Sequence, residues 1–158
     1  MGDTIKIGRR GSFTGSLTVK GIQGHVGYPD LAENPINSLL KMLEPFSKIY
    51  LDKGTNEFQP SSVMVTTIDV NNDASNVIPG EVKAKFNIRF NTLHSVASLK
   101  SMLKNQFDAI TKDYEFDYFC NAEPFLTSDE ELKSTLQNAI TKVVNVNPEK
   151  STTVGTSD

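Results

Sequence analysis

Apolar and polar residues alternate most strictly between Glu81 and Asn91. The residues on one side are apolar, namely Val82, Ala84, Phe86, Ile88 and Phe90. Those on the other side are polar, namely Lys83, Lys85, Asn87, Arg89 and Asn91. A repeat of two residues predicts a β-strand with one covered face and one open face, as in an antiparallel sheet. Arg89 is therefore predicted to lie on the open face.

Less regular alternation predicts three more strands, at residues 5–20, 62–70 and 114–120. The first of these ends at Gly21, and its apolar residues alternate with polar ones, namely Phe13, Leu17 and Val19 against Ser12, Ser16, Thr18 and Lys20. Together with the strand at 81–91, these segments provide four strands.

Three apolar stripes at helical spacing predict three helices. The first is expected to start at Asn34-Pro35, because asparagine caps free amides and proline fits the first helical position, and to kink or break at Pro45. Ser95 is expected to cap the second, and a capping box of Ser128 and Glu131 to start the third. The stripes are Ile36, Leu39, Leu40, Leu43, Phe46 and Tyr50, then Val96, Leu99, Leu103, Phe107 and Ile110, then Leu132, Leu136, Ala139, Ile140 and Val143.

The first six predicted elements follow the order strand, helix, strand, strand, helix, strand. This order predicts an α+β, ferredoxin-like split βαβ sandwich, in which two helices cover one face of a four-stranded antiparallel sheet. Residues 121–124 are expected to form a linker to the third helix, which is expected to end at Asn147-Pro148. The chain becomes extended again from Ser151 and stops at Asp158, so we expect it to be an excised fragment.

Composition narrows the possible partners. The 158 residues are 37% hydrophobic and carry a net charge of −3, so an ordinary globular protein is expected and a nucleic acid partner is not. No apolar run approaches the ~20 residues of a membrane span, and the N-terminus lacks the pattern of a secretory signal. The single cysteine, Cys120, excludes an internal disulfide, favours the cytoplasm and is expected to be a core or near-core thiol.

His25 is one of two histidines and lies in the segment 21–29, which also contains three glycines and a proline. Glycine tolerates backbone angles that other residues avoid, and proline interrupts regular structure. The imidazole is therefore predicted to project from a shaped turn at the end of a strand. A loop histidine with no chemical role is the alternative. The other histidine, His94, is expected to be a solvated surface residue.

The remaining candidate residues look like half of a binding site. Asn76 follows a predicted turn at 71–73, Arg89 lies on the polar face of its strand, and Lys6 and Arg9 add positive charge near the start. A neutral imidazole and an amide can donate hydrogen bonds to an oxyanion, and guanidinium groups bind carboxylates through two hydrogen bonds. The set suits an anionic, carboxylate-bearing small molecule. The sequence shows no clustered metal ligands, phosphate-binding loop or nucleophile elbow.

Several segments form a consistent set of motifs, namely Ile5–Ser12, Leu17–Gly21, Gln23–Val26, Tyr28-Pro29, Asn76–Glu81, Phe86–Phe90, Pro124–Thr127 and Ser151–Asp158. In this order, and over nearly the whole chain, they resemble the bacterial succinyl-diaminopimelate desuccinylases. The resemblance implies a homodimeric amidohydrolase with two zinc ions, or zinc and cobalt, that acts on a succinylated diaminopimelate in lysine biosynthesis. It also implies that a ferredoxin-like lid carries the dimer interface.

The resemblance further implies how the chain is divided. Residues 1–10 would lead in from a catalytic domain, residues 11–121 would form the lid, and residues 122–158 would begin the return to the catalytic domain. The zinc ligands of the family lie in that other domain. The fragment is therefore expected to hold no metal and to be inactive alone.

The same resemblance assigns roles to candidate residues. His25 would donate a hydrogen bond to the oxyanion in the active site of the opposite subunit. Asn76 and Arg89 would hold the substrate carboxylate and support the reacting carbonyl. Two positions depart from the family pattern, since Gly27 replaces a common alanine and Val154 a common glycine.

Five further residues are expected to contact the substrate. Arg9, Thr156 and the backbone of Gly155 would grip the succinyl group and its neighbours. Lys6 and Tyr28 would line the substrate cleft.

Two alternatives remain open. An acetylornithine deacetylase or an aminoacyl carboxypeptidase would share the fold, His25 and the pair of Asn76 and Arg89. A stand-alone ferredoxin-like binding or dimerisation module would instead use the uncovered face of the sheet. Comparing the rates at which succinylated and acetylated substrates are hydrolysed would distinguish a desuccinylase from these related enzymes.

Overall fold

The computed structural model describes residues 4–153. Within this range the chain forms ten strands and three α-helices, together with two short 3-10 helices at Pro29–Leu31 and Glu44–Lys48. In chain order the elements are β1 (Thr4–Lys6), β2 (Gly8–Arg9), β3 (Gly11–Lys20), β4 (Gly24–His25), α1 (Pro35–Leu43), β5 (Ser62–Asp69), β6 (Val77–Ile78), β7 (Glu81–Phe90), α2 (Val96–Asp108), β8 (Tyr114–Ala122), β9 (Phe125–Leu126), α3 (Glu130–Val144) and β10 (Glu149–Ser151).

The largest sheet has four strands in the order β5-β7-β3-β8, and all neighbours are antiparallel. β3 and β7 pair over their full lengths, from Gly11 opposite Phe90 to Lys20 opposite Glu81. Three two-stranded sheets surround it, in which β1 pairs with β10, β2 with β9 and β4 with β6. The predicted combination of helices with an antiparallel sheet is confirmed.

The core lies between one face of this sheet and the helices α1 and α2. Alternate residues of β3 and β7 are almost fully buried there, beside Leu39 and Met42 of α1 and Leu99, Leu103 and Phe107 of α2. Phe86 is at the centre of an aromatic cluster, with ring centroids 5.0 Å from Phe46 and 6.2 Å from Phe116. The opposite face keeps Lys83 and Lys85 exposed, as the alternation predicts.

The caps of α1 and α2 follow the sequence prediction. The Asn34 side chain accepts a hydrogen bond from the Ile36 backbone N–H at 3.0 Å. α1 ends at Leu43, and a 3-10 helix that contains Pro45 follows, because proline cannot donate the next helical hydrogen bond. Ser95 caps α2 in a reciprocal capping box with Ser98.

Several details of the predicted helices are wrong. Leu40 and Tyr50 are 57% and 63% exposed, so they do not belong to the buried stripe of α1. Ile110 lies beyond the end of α2. Asp129, rather than Ser128, caps α3, because its carboxylate accepts from the Leu132 N–H at 2.9 Å.

The end of α3 also differs from the prediction. Asn145 adopts the left-handed conformation with φ of 55°, and this ends the helix before Asn147-Pro148. Asparagine is one of the few residues that tolerate this conformation.

Long-range pairing changes two predicted boundaries. The extended segment 5–20 is divided into β1, β2 and β3, because each pairs with a different partner. The segment 121–124 is not a free linker, since Asn121 and Ala122 complete β8 and β9 then pairs with β2.

Within residues 4–153, every helix is too short or too polar to cross a membrane.

Candidate functional site

His25 and Asn76 are brought together by the pairing of β4 with β6. His25 lies opposite Val77 in this pair, so Asn76 directly precedes its partner strand. The Val26 N–H donates to the Asn76 carbonyl oxygen at 3.0 Å, and the Asn76 amide nitrogen Nδ2 lies 3.5 Å from His25 Nε2. The structure thus places two residues 51 positions apart in the chain at one point on the surface.

The turn after His25 fixes the tautomer of its ring. The Gly27 backbone N–H donates to His25 Nδ1 at 3.0 Å. Nδ1 is therefore the acceptor, and in the neutral ring Nε2 carries the proton. Nε2–H and the Asn76 amide then form two hydrogen-bond donors that can share one oxygen acceptor.

Gly21 and Gly24 are required for space rather than for unusual backbone angles, so the prediction based on glycine's backbone freedom is wrong here. Among the described glycines only Gly54 has a positive φ. At Gly24 a side-chain Cβ would lie 2.7 Å from the Cβ of Ala32. At Gly27 a Cβ would lie 3.1 Å from His25 Nδ1, so a side chain there would require a small shift of the imidazole.

Tyr28 completes this group. Its ring centroid lies 5.9 Å from that of His25, and the side chain is 66% exposed. We call His25, Tyr28 and Asn76 the turn cluster. It presents an exposed, uncharged set of donors.

Lys6, Arg9 and Arg89 lie near the other end of the large sheet, and we call them the base cluster. Arg89 is opposite Ser12 on β3, close to where β2 enters the sheet domain. The Lys6 ammonium donates to the Thr153 carbonyl at 3.0 Å and to its hydroxyl at 2.9 Å. Gly155, Thr156 and Val154 lie outside the described residues.

Arg9 is held by an aromatic ring. Its guanidinium carbon lies 5.5 Å from the ring centroid of Phe125, whose strand β9 pairs with β2. Its Nε is buried and has no hydrogen-bond partner among residues 4–153. A buried donor without a partner is costly, so this guanidinium is suited to an anionic ligand.

Arg10, which follows Arg9 in the chain, lies close enough to Arg89 to be affected by its charge. Burial and then the neighbouring Arg89 guanidinium lower the pKa of Arg10, and the charges of Asp52 and Tyr50 only partly offset this. Adjacent guanidinium groups repel each other, and a carboxylate between them would relieve the repulsion.

The two clusters are far apart within one chain. β3 and β7 run from the base cluster to the turn cluster, and ten residues of strand span on the order of 30 Å. A single small molecule cannot contact both. The structure therefore brings His25, Asn76 and Tyr28 together but separates them from Arg89, Arg9 and Lys6.

A third polar group was missed in the sequence. The expectation for His94 is wrong, because its side chain is only 19% exposed and its Nε2 lies 3.1 Å from the Asp52 carboxylate. Asn91 also donates to Asp52, at 3.0 Å. No local pattern links Asp52 to residues about 40 positions later, so only the fold reveals this contact.

Comparison with protein families defines the class of this chain. The family model described as a peptidase dimerisation domain (M20) matches residues 7–115. The chain therefore belongs to the peptidase dimerisation domain family.

The similar curated proteins are more specific. The chain is 48% identical to a succinyl-diaminopimelate desuccinylase of Parvibaculum lavamentivorans and 47% identical to one of Pelagibacter ubique. The matches cover 100% of this chain but only 41% and 42% of those proteins. The chain thus spans about two fifths of the length of these relatives, and the resemblance seen in the sequence is confirmed.

Solved structures share the fold at low sequence identity. An aminopeptidase PepT from Bacillus cereus has a TM-score of 0.76 at 13% identity, over 98% of this chain and 41% of that chain. A tripeptidase from Staphylococcus aureus has a TM-score of 0.74 at 16% identity, with the same coverage of 98% and 41%. These likenesses concern the fold alone.

Proposed function

We propose that this chain is the lid and dimerisation domain of a desuccinylase that hydrolyses N-succinyl-LL-2,6-diaminopimelate to succinate and LL-diaminopimelate. The reaction would serve lysine biosynthesis. The observation that carries the proposal is the division of the candidate residues into a cluster of neutral donors and a distant cationic cluster. The names of the curated relatives support the choice of substrate.

The large sheet with α1 and α2 is proposed to be a ferredoxin-like lid at residues 11–121. In support, the strands lie side by side in the order β5-β7-β3-β8. Along the chain, α1 connects β3 to β5 and α2 connects β7 to β8. Residues 1–10 and 122–158 would belong to a catalytic domain. Consistent with this, α3 leaves the apolar residues Leu132, Leu136 and Val143 exposed, and such a domain would cover them.

The turn cluster of one subunit is proposed to complete the active site of the other. Nε2–H of His25 would donate to the oxyanion that forms when water attacks the succinyl amide. Asn76, whose amide nitrogen lies 3.5 Å from that Nε2, would donate to the same oxygen and support the carbonyl. Tyr28 would line the cleft beside them.

The base cluster is proposed to bind the anionic ends of the substrate. Arg89 would hold the substrate carboxylate, and Arg9 would grip the succinyl group together with Thr156 and the Gly155 backbone. The buried Nε of Arg9, for which the described part of the chain offers no partner, supports this assignment. Lys6 would line the same cleft.

The two zinc ions, or zinc and cobalt, remain a proposal for the whole enzyme. Among residues 4–153 no three His, Cys, Asp or Glu side chains are grouped so that they could hold a metal ion. The described residues do not fit such a centre, so we propose that its ligands come from elsewhere in the enzyme.

The homodimer is proposed to form through β5 and α1. β5 is an edge strand of the large sheet. Its first residues, Ser62 and Val63, already pair with residues 49–50, so the rest of its outer edge would pair with another strand. A groove of about 390 Å³ beside it is lined by apolar residues that include Leu40, Met64, Val65 and Ile68. Antiparallel pairing of two β5 strands about a twofold axis would cover this groove in both subunits.

One comparison of substrates tests the proposed function. A full-length enzyme that contains this chain is expected to hydrolyse the succinylated diaminopimelate at least about 10²-fold faster, in kcat/KM, than acetylornithine. Equal or greater activity on the acetylated substrate would contradict the proposal and favour a related deacetylase.

A further inference from the structure

The loop that precedes β5, residues 52–61, is fixed to the sheet domain by one carboxylate. Asn91 Nδ2 donates to Asp52 Oδ1 at 3.0 Å, and His94 Nε2 lies 3.1 Å from Oδ2. The Ser61 N–H lies 3.1 Å from one carboxylate oxygen and 3.2 Å from the other. One group at the end of the loop and two groups just after β7 therefore converge on a side chain that is 12% exposed.

Hydrogen bonds within the loop fix its shape. The Gly54 N–H donates to Asp52 Oδ1 at 2.6 Å, and the Thr55 N–H donates to the Phe58 carbonyl at 2.9 Å. Gly54 has φ of +79°, and a Cβ at this position would lie 2.6 Å from the Phe58 carbonyl oxygen. Only glycine fits this turn without strain. The carbonyl groups at the tip of the loop are thus held at defined positions.

The tip of the loop contacts the strand that follows α3. The Thr152 hydroxyl donates to the Glu57 carbonyl oxygen, and Thr152 is 9% exposed. Within residues 4–153, no other hydrogen bond joins residues 11–122 to residues 149–153.

The same loop also holds the segment that enters the sheet domain. The Arg10 guanidinium donates to the Pro60 carbonyl at 2.9 Å. Arg10 connects β2 to β3, so the loop contacts the chain where it enters the sheet domain and again after it has left.

We propose that the 52–61 loop is a strap that holds β10, and with it Lys6, in position against the sheet domain. Asp52 fixes the strap to the sheet domain, and the Glu57 carbonyl fixes Thr152. The next residue, Thr153, accepts two hydrogen bonds from the Lys6 ammonium. Asp52 and Thr152 are positioning residues, since they act through the strap. The proposal rests on the proposed function in one respect, the role of Lys6 in lining the substrate cleft.

Two substitutions of Thr152 test the strap directly. Thr152→Val keeps the shape of the side chain and removes the donor, whereas Thr152→Ser keeps the hydroxyl. In the 158-residue chain, Thr152→Val is expected to increase the rate of amide hydrogen exchange of residues 149–153 about tenfold, because one buried hydrogen bond is lost. Thr152→Ser is expected to leave this rate near that of the wild type.

The kinetic consequence is measured in the full-length enzyme. Thr152→Val is expected to raise KM for the succinylated substrate about tenfold with kcat within about twofold, and Thr152→Ser is expected to restore KM. A purely structural contact would not produce this split between KM and kcat. Asp52→Asn is a second variant, and it is expected to increase exchange in the 52–61 loop itself.

Each outcome decides a different point. Unchanged exchange in Thr152→Val and Asp52→Asn would overturn the strap, whatever the activity. Increased exchange with an unchanged KM would overturn its role in substrate binding. A wild-type enzyme that does not cleave the succinylated substrate would count against the proposed function alone, because the exchange experiment requires no activity.

Discussion

The turn cluster and the base cluster differ in charge, burial and support. His25, Tyr28 and Asn76 are exposed and uncharged, and they are placed by two very short paired strands. Arg9 and Arg89 are half-buried cations at the other end of a ten-residue strand pair. Neutral donors suit a charge that develops during the reaction, whereas fixed cations suit a substrate that is already anionic. Under the proposed function, the two clusters are the two halves of one site that a single chain cannot assemble.

The largest effect is expected at His25. In the full-length enzyme, His25→Ala is expected to lower kcat by about 10²-fold or more, because an oxyanion donor is lost. Steady-state kinetics measures this. The side chain is exposed, so stability is expected to stay unchanged, and Gln23→Ala on the same turn is the control. An unchanged kcat would remove the turn cluster from the reaction.

A smaller effect, on binding, is expected at Arg89. Arg89→Ala is expected to raise KM by about 10- to 100-fold with less change in kcat, because a charge-assisted pair of hydrogen bonds to a carboxylate is lost. Lys85→Ala, which removes an exposed cation from the same face of β7, is the control and is expected to leave KM unchanged. Equal effects of the two substitutions would mean that general charge, rather than a specific contact, governs binding.

The dimer surface offers the next test. Ile68→Lys places a charge in the proposed β5 interface and is expected to weaken dimerisation about tenfold or more, because an unpaired charge is costly to bury. Sedimentation equilibrium of the chain measures this. Leu93→Lys is a matched control, since Leu93 is 58% exposed and Ile68 is 52% exposed. If both variants dimerise like the wild type, another surface forms the interface.

The smallest expected effect concerns stability and pH. Burial raises the pKa of Asp52, but hydrogen bonds from Ser61, Gly54 and Asn91 outweigh it, so the pKa lies below its ordinary value of 3.8. The carboxylate therefore stabilises the fold at pH values above this ordinary pKa. The stabilisation is lost as the pH falls through the lower pKa of the folded state. Asp52→Asn is expected to cost about 1 kcal/mol at pH 7, and the difference from wild type is expected to vanish in strong acid.

Denaturant unfolding at several pH values measures this difference. A constant difference at every pH would show that the charge of Asp52 does not contribute.

Much of the large sheet could be predicted from the sequence because its signals are local. The alternation in β7 and the caps at Asn34 and Ser95 depend on residues next to one another, and the structure agrees with them. The division of residues 5–20 and the burial of His94 could not be predicted in this way. Both depend on partners more than 40 positions away, such as Asp52 for His94 and β10 for β1.

The candidate residues show the same limit. His25 stands out locally, because few histidines lie among so many glycines. Its contact with Asn76 and its distance from Arg89 follow from strand pairing, which the sequence pattern does not specify.

Subunit complementation tests the central claim most directly. His25→Ala and Arg89→Ala homodimers of the full-length enzyme are each expected to be nearly inactive under subsaturating substrate. If the site combines clusters from two subunits, mixed dimers contain one intact site, and an equal mixture is expected to recover about a quarter of wild-type activity. No recovery, with mixed dimers present by mass spectrometry, would contradict a site shared between subunits.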